Sequence, residues 1–344
     1  MLTICFDCFA KSTGVSRMWE VSGKNKDGKT LHFYLLGVTH NGLDIEYDDY
    51  FFKSVLPVFH QAGFFSHEAA DWNASQAPAC REPMPATENN LKMIAKARER
   101  VMRLRLEALH SMPKATFPLV DKDEQDEINS VIDFSYASLA KSEADAYSEL
   151  GLIWAMRHFF YDRAILEGRS AGARKTDAVP DSSPGVRCSI FSGDQVVDSL
   201  MRCRPSMEIR SIDSTQDIVD AYCSIPGTAR ANMFQRNLNE WEYASQERLP
   251  EVLKMRHEGE TGLVQSLLQG KIMPPFLSDI DDYSAWVCTR NEKWLEKMLS
   301  AQDGKTGFYA LGIAHLLPRS DGQAPCADLL TMLRNRDMSV RLVH

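Results

Sequence analysis

Phe33-Tyr34-Leu35-Leu36-Gly37-Val38-Thr39-His40 returns near the other end of the chain as Phe308-Tyr309-Ala310-Leu311-Gly312-Ile313-Ala314-His315. The two stretches align without gaps and are identical at five of eight positions. With 19 Gly and nine His in the chain, chance alone supplies roughly half an occurrence of Gly-x-x-His, so the motif by itself means little. Two copies behind the same Phe-Tyr-x-Leu strand are a repeat. Each reads as a buried strand that stops at a glycine, where the backbone bends or admits a close neighbour, and then delivers an imidazole three residues on. That is the carboxyl edge of a strand, where open α/β sheets hold their ligands. The expected fold class is therefore α/β.

Working outward, Trp19-Glu20-Val21-Ser22, the turn-forming Gly23 to Gly28 and Thr30 to Leu36 read as a hairpin whose second strand is the first copy. Asp49 to Gln61 has helical spacing, and Gly63-Phe64-Phe65-Ser66 is a short strand that reaches His67-Glu68. Long helical patterns fill Glu88 to Ser111, Asp123 to Ala140 and Glu143 to Glu167. Residues 168–185, rich in Gly, Ser, Pro and Asp, read as a mobile linker open to proteolytic nicking. Strands are expected at Val186 to Phe191, Ser206 to Ile212, Gly307 to Leu311 and Ser339 to Val343. Helices are expected at Ser192 to Cys203, Gly227 to Arg248, Glu251 to Gln269, Tyr283 to Ser300 and Cys326 to Arg336. The organisation expected is a loose leader over 1–17 and a single domain over 18–344, with a helical middle at 88–167.

Composition excludes several classes. A chain of 344 residues has no need of a disulfide framework, and 44% hydrophobic with 25% charged residues is an ordinary globular balance. A net charge of −8 argues against a nucleic-acid partner. The most apolar stretches fall short of the roughly 18 to 20 residues of a membrane span. The N-terminus carries Asp7 within its apolar start and no basic region before it, so a secretory signal of the usual type is not expected. Eight scattered cysteines read as reduced thiols in a cytosol-like compartment. Cys5-x-x-Cys8 lacks the second pair that a zinc site needs.

If the two copies are related by internal symmetry, His40 and His315 face one cleft. Two neutral imidazoles and a carboxylate, with open positions for water, make a divalent-metal site suited to hydrolysis. Glu68 is the carboxylate candidate, because it follows the next strand and emerges on the same edge. Read alone, it is a solvated surface residue. His67 points to the opposite face and is not counted as a ligand. Arg290 and Asn291 lie on a helix shortly before the second copy, with Trp294 one turn on. Arginine offers a fork for a carboxylate or an oxyanion, and asparagine can orient a water or a ligand; the bland alternative is an exposed helix face beside a core tryptophan.

These pieces, in this order, resemble the TraB/GumN family of the TIKI peptidase superfamily. The likeness runs from Trp19 to Val343. It is carried by Trp19-Glu20-Val21, Leu35 to Gly42, Glu68, Arg290-Asn291-x-x-Trp294, Leu311 to Leu316 with Asp321-Gly322, and the closing stretch from Leu329 to Val340. It implies an EreA/ChaN-like α/β fold, with a mixed sheet core built from two similar halves and covered by many helices, and a metal-dependent, peptidase-like activity that uses both His and the Glu. Manganese or cobalt would be the ion, a peptide or protein the substrate, with His40, His315 and Glu68 as ligand or catalytic residues and Arg290 and Asn291 in support. The sequence departs from the family at Ile212-Asp213-Ser214, at Gly37-Val38-Thr39-His40, and in showing neither a signal nor an anchor. Haem-binding and esterase-like relatives in the superfamily supply the rival reading: a binding protein without turnover that captures a peptide or haem. Substrate, metal, oligomeric state and compartment stay open at this stage.

Overall fold

The computed structural model describes residues 17–38, 50–68, 77–110, 122–156, 196–243, 283–300, 304–316, 318 and 324–344. His40, the leader over 1–16, Cys5 and Cys8, the linker over 168–185, the strand expected at 186–191, the helix expected at 251–269 and Asp321-Gly322 lie outside the described residues.

Alternation of apolar and polar residues on either side of the Asn25-to-Gly28 turn produces the hairpin of β1 (Arg17–Lys24) and β2 (Thr30–Val38), with Trp19 opposite Leu35. A turn of wide helix (Phe51–Val55) leads into α1 (Leu56–Gln61), and β3 (Phe64–His67) follows. Next come α2 (Glu88–His110), α3 (Lys122–Ala146), α4 over 149–156, and α5 (Val196–Cys203). The chain continues through β4 (Glu208–Ser211), α6 (Thr215–Cys223) and α7 (Gly227–Tyr243). It closes with a second wide turn (Ser284–Cys288), α8 (Thr289–Ser300), β5 (Gly307–Gly312), α9 (Ile313–Leu316), α10 (Leu329–Arg334) and β6 (Ser339–Leu342).

The six strands form one mixed sheet in the order β4-β3-β5-β2-β1-β6, so the α/β class holds. Strands β4, β3, β5 and β2 run parallel, and β1 is antiparallel to both β2 and β6. One face packs Trp19, Leu35, Tyr309 and Leu311 against Trp294 and Leu295 of α8, Leu316 of α9 and Leu333 of α10. The other packs Leu36, Phe65, Phe308 and Ala310 against Phe59 of α1 and Leu200 of α5. Among the described residues no helix is long and apolar enough to cross a membrane.

The two copies of the repeat are neighbours, since β2 pairs with β5, but they pair one residue out of phase: Tyr34 stands beside Phe308 and Gly37 beside Leu311. Side chains alternate between faces along a strand. Phe33 therefore joins one core and its counterpart Phe308 the other.

Helix boundaries differ from the sequence reading in three places, two of them at caps. The break expected between Ala140 and Glu143 is absent, since α3 runs on to Ala146, and α4 starts after Ser148, whose hydroxyl accepts from Gly151 N at 3.1 Å. The helix expected from Cys326 begins at Leu329, where Asp328 accepts from Thr331 N at 2.9 Å.

The reduced-thiol expectation is overturned. Cys80 is bonded to Cys223 and Cys288 to Cys326 across 143 and 38 residues of sequence. Scatter along the chain carries no information about distance in the fold, and with these four cysteines paired the argument from eight reduced thiols for a reducing compartment falls.

The chain divides into two compact units, Met1–Asp71 with Glu167–Ala221 and Pro250–His344, and Trp72–Leu166 with Tyr222–Leu249. The sheet belongs to the first. In the second, α2 packs on α3 and α7, and buried Arg230 donates to the carbonyls of Ile225 at 2.8 Å and Cys223 at 3.3 Å.

Gly37 lies where α9 comes down on β2. A Cβ there would overlap Ile313 Cδ1 and stand 3.3 Å from Leu316 Cδ1 and 3.4 Å from Trp19 Cζ3. The usual gain from replacing a strand glycine, roughly 0.5–1 kcal/mol, is smaller than the cost of overpacking, about 1–3 kcal/mol. Gly37→Val is accordingly expected to destabilise, read as a lower denaturant midpoint at unchanged slope.

Candidate functional site

Three adjacent parallel strands end on the same edge, and each is followed at once by a polar side chain. Glu68 comes directly after β3, Asp213 two residues after β4 and His315 three residues after β5. Phe64 of β3 faces the α8 side of the sheet, and by alternation Ser66 and Glu68 lean the same way. The His67 ring stacks on Phe65, and its Nδ1 lies 2.9 Å from the Glu68 carbonyl oxygen. Because His67 pairs with Ala310 of β5, Glu68 stands near the end of that strand, where its Oε1 accepts from Gly312 N.

Arg290 and Asn291 enter from the first turn of α8, and both are buried. The wide turn Ser284–Cys288 immediately before α8 is a helix irregularity of the kind common at functional sites. Arg290 Nη2 donates to Glu68 Oε2 at 2.6 Å and to Asp213 Oδ2 at 2.5 Å, and its Nε reaches the same Asp213 oxygen at 3.1 Å. The other Asp213 oxygen accepts from Trp294 Nε1 at 2.6 Å. Arg290 Nη1 faces His315 Nε2 at 3.3 Å.

The imidazole is fixed from behind. Asn291 Nδ2 donates to the His315 carbonyl at 3.1 Å, which turns Asn291 Oδ1 to His315 Nδ1 at 2.8 Å. An amide oxygen only accepts, so Nδ1 carries the proton and Nε2 presents a lone pair. The indole of Trp294 lies against the imidazole with ring centroids 4.2 Å apart.

Burial pushes the Asp213 carboxyl upward, and Arg290 with Trp294 pulls it back only in part. Burial works against the charged guanidinium of Arg290, but Glu68 and Asp213 outweigh it and hold the cation above its ordinary value. Just beyond Asp213, Ser214 and Asp217 form a reciprocal cap at the start of α6: Asp217 N donates to Ser214 Oγ at 3.1 Å and Ser214 N to Asp217 Oδ2 at 3.0 Å. Lys297 and Lys293 of α8 reach Asp217 at 2.7 and 3.0 Å.

The structure thus brings Glu68, Arg290, Asn291 and His315 together. His40 lies outside the described residues, and among the described residues no group of three or more His, Cys, Asp and Glu is placed to hold an ion. The two described donors fit a divalent ion in kind, an imidazole nitrogen with its second nitrogen anchored and a carboxylate, and both are turned onto Arg290. Asp213 was left out of the site because Ile212-Asp213-Ser214 departs from the family's pattern; the available signal was an acidic residue just past a strand that ends on the same edge. No family model, curated protein or solved structure matches the chain.

The cap yields a prediction with a sign. Burial raises Asp217, but hydrogen bonds from Lys297, Ser214 and Lys293 win and hold its carboxyl well below the usual 3.8. A carboxyl lowered in the folded state contributes stability above its unfolded value, lost as pH falls toward the folded one. Asp217→Asn should cost roughly 1 kcal/mol at pH 7, since both lysines are partly exposed. Chemical denaturation as a function of pH should show the gap to wild type closing below the usual 3.8.

Proposed function

We propose that the chain is a metal-dependent hydrolase of the TraB/GumN kind, acting on peptide bonds. The observation that carries the reading is the convergence of a lone-pair-bearing His315 Nε2, anchored through Asn291, and the Glu68 carboxylate on one buried guanidinium at the carboxyl edge of the sheet. The peptide as substrate comes from the likeness of the motifs to those peptidases.

His315 and Glu68, with His40, would hold the divalent ion, which when bound supplies polarisation of the scissile carbonyl and a more acidic water. The chain's own groups do the rest. Asn291 keeps the His315 tautomer and ring orientation, the arrangement that raises the basicity of a ligating or proton-accepting imidazole. Arg290 aims Glu68 through the Nη2 contact. Arg290 Nη1 carries two protons, and the one not directed at His315 Nε2 would donate to charge that develops on the carbonyl oxygen, an interaction that burial strengthens by excluding water.

The reading is tested by incubating the purified protein with a mixed peptide library and identifying new termini by mass spectrometry, with and without added manganese or cobalt. Wild type is expected to cleave, and His315→Ala and Glu68→Gln to lose at least ~100-fold of that rate while keeping the wild-type circular dichroism. Excess chelator should abolish cleavage, and metal should restore it. Cleavage unchanged in both variants would remove the hydrolase assignment, and cleavage that persists in chelator would remove the ion from it.

A further inference from the structure

We propose that Asp213 is the positioning residue of this site: by holding the Nε and Nη2 edge of Arg290 it sets the direction in which the Nη1 edge points, toward His315. The catalytic consequence rests on the hydrolase reading above.

A guanidinium is planar and rigid, so fixing one edge fixes the direction of the others. Asp213 Oδ2 takes the Nε and Nη2 protons of Arg290 at 3.1 and 2.5 Å, and Oδ1 is tied to Trp294 Nε1 at 2.6 Å. Both carboxylate oxygens are engaged, which leaves the group one orientation. The backbone around it is equally constrained. Ser211 Oγ donates to the Asp213 carbonyl, Lys297 Nζ donates to the Ile212 carbonyl at 2.6 Å, and the Ser214–Asp217 cap begins at the next residue. Lys297, Trp294 and Arg290 all belong to α8. Asp213 and Arg290 are thus locked to one another through the same helix. Glu68 shares Nη2 with Asp213, and it is Asp213 that also takes the Nε proton.

The side chain of Asp213 has no accessible surface. It cannot meet a substrate or a water directly, so its effect on the reaction passes through the two side chains it holds, Arg290 and Trp294, and the Arg290 signals report the first of these. Asparagine at this position is nearly isosteric but replaces one acceptor with a donor. It would face either the indole N–H or the guanidinium with the wrong group, whereas glutamate keeps both acceptors.

The test uses full-length protein labelled with 15N at arginine and histidine, with Arg290→Lys and His315→Gln spectra to assign the two residues. In wild type the Arg290 Nη1 and Nη2 signals are expected to be resolved, because rotation of a clamped guanidinium is slow. Asp213→Asn is expected to merge them and to shift the His315 Nε2 resonance, and Asp213→Glu to restore separation in part. A merged signal in wild type, or an Asp213→Asn spectrum unchanged at both residues, overturns the proposal; the wild-type arm decides even if the variant does not fold. On peptides that wild type cleaves, Asp213→Asn should lower kcat by about 10–100-fold, as loss of an orienting partner does, with KM within about two-fold. A change confined to KM overturns the positioning role. Absence of wild-type cleavage would count against the hydrolase reading alone, because the spectra do not depend on it.

Discussion

A guanidinium with almost no access to water is the constraint around which this site is arranged. Burying a cation costs several kcal/mol unless it is paired and fully hydrogen-bonded, and removing one partner of such a pair costs roughly 3–5 kcal/mol. Arg290 meets that requirement with Glu68 and Asp213, which come from the ends of two different strands, while Arg290 itself comes from a helix on the sheet face. The interaction forms only when β3, β4 and α8 are all in their native places. It therefore selects the arrangement of these elements more than it adds to their stability.

The contacts also form a continuous path across the carboxyl edge. Asn291 holds His315, His315 faces Arg290, Arg290 holds Glu68, and Glu68 accepts from the backbone of Gly312, which leads back through α9 to His315. Such a ring of hydrogen bonds fixes each member through two neighbours, which is what a site needs if its geometry is to survive without adjustment during a reaction.

How much of this could be read from residues alone depended on whether the signal was local. Alternation and turn chemistry placed all six strands, because runs of strand-forming residues between turn residues are a local signal. Glu68 and His315 followed from standing just past such strands. Asp213 also stands just past one, but Ile212-Asp213-Ser214 departs from the family's pattern, and nothing local ties an acidic residue there to an arginine 77 positions on. The disulfides were illegible for a different reason: pairing across 143 residues is a property of the fold and leaves no local trace. The caps at Ser148 and Asp328 were present as residue types, but helical periodicity runs past a cap, and the wrong principle was given priority at those two boundaries.

The repeat was the strongest sequence signal, and the structure gives it a different meaning from simple symmetry. Identical residues one step out of register cannot occupy equivalent environments, because each shift by one exchanges the faces of the sheet. Nor do the neighbours match, since β3 runs parallel to β5 while β1 runs antiparallel to β2. What the offset provides is a fit between the copies. Gly37 of the first copy lies under Ile313 and Leu316 of the second, so the missing side chain on β2 is the space into which α9 settles. Gly312 of the second copy offers its backbone N–H to Glu68 at the point where the chain turns from strand to helix. The first glycine lets the short helix bearing His315 approach the sheet, whereas the second contributes a backbone N–H that any residue but proline would offer. Glycines matched by alignment are thus used in different ways, one as space and the other as a donor.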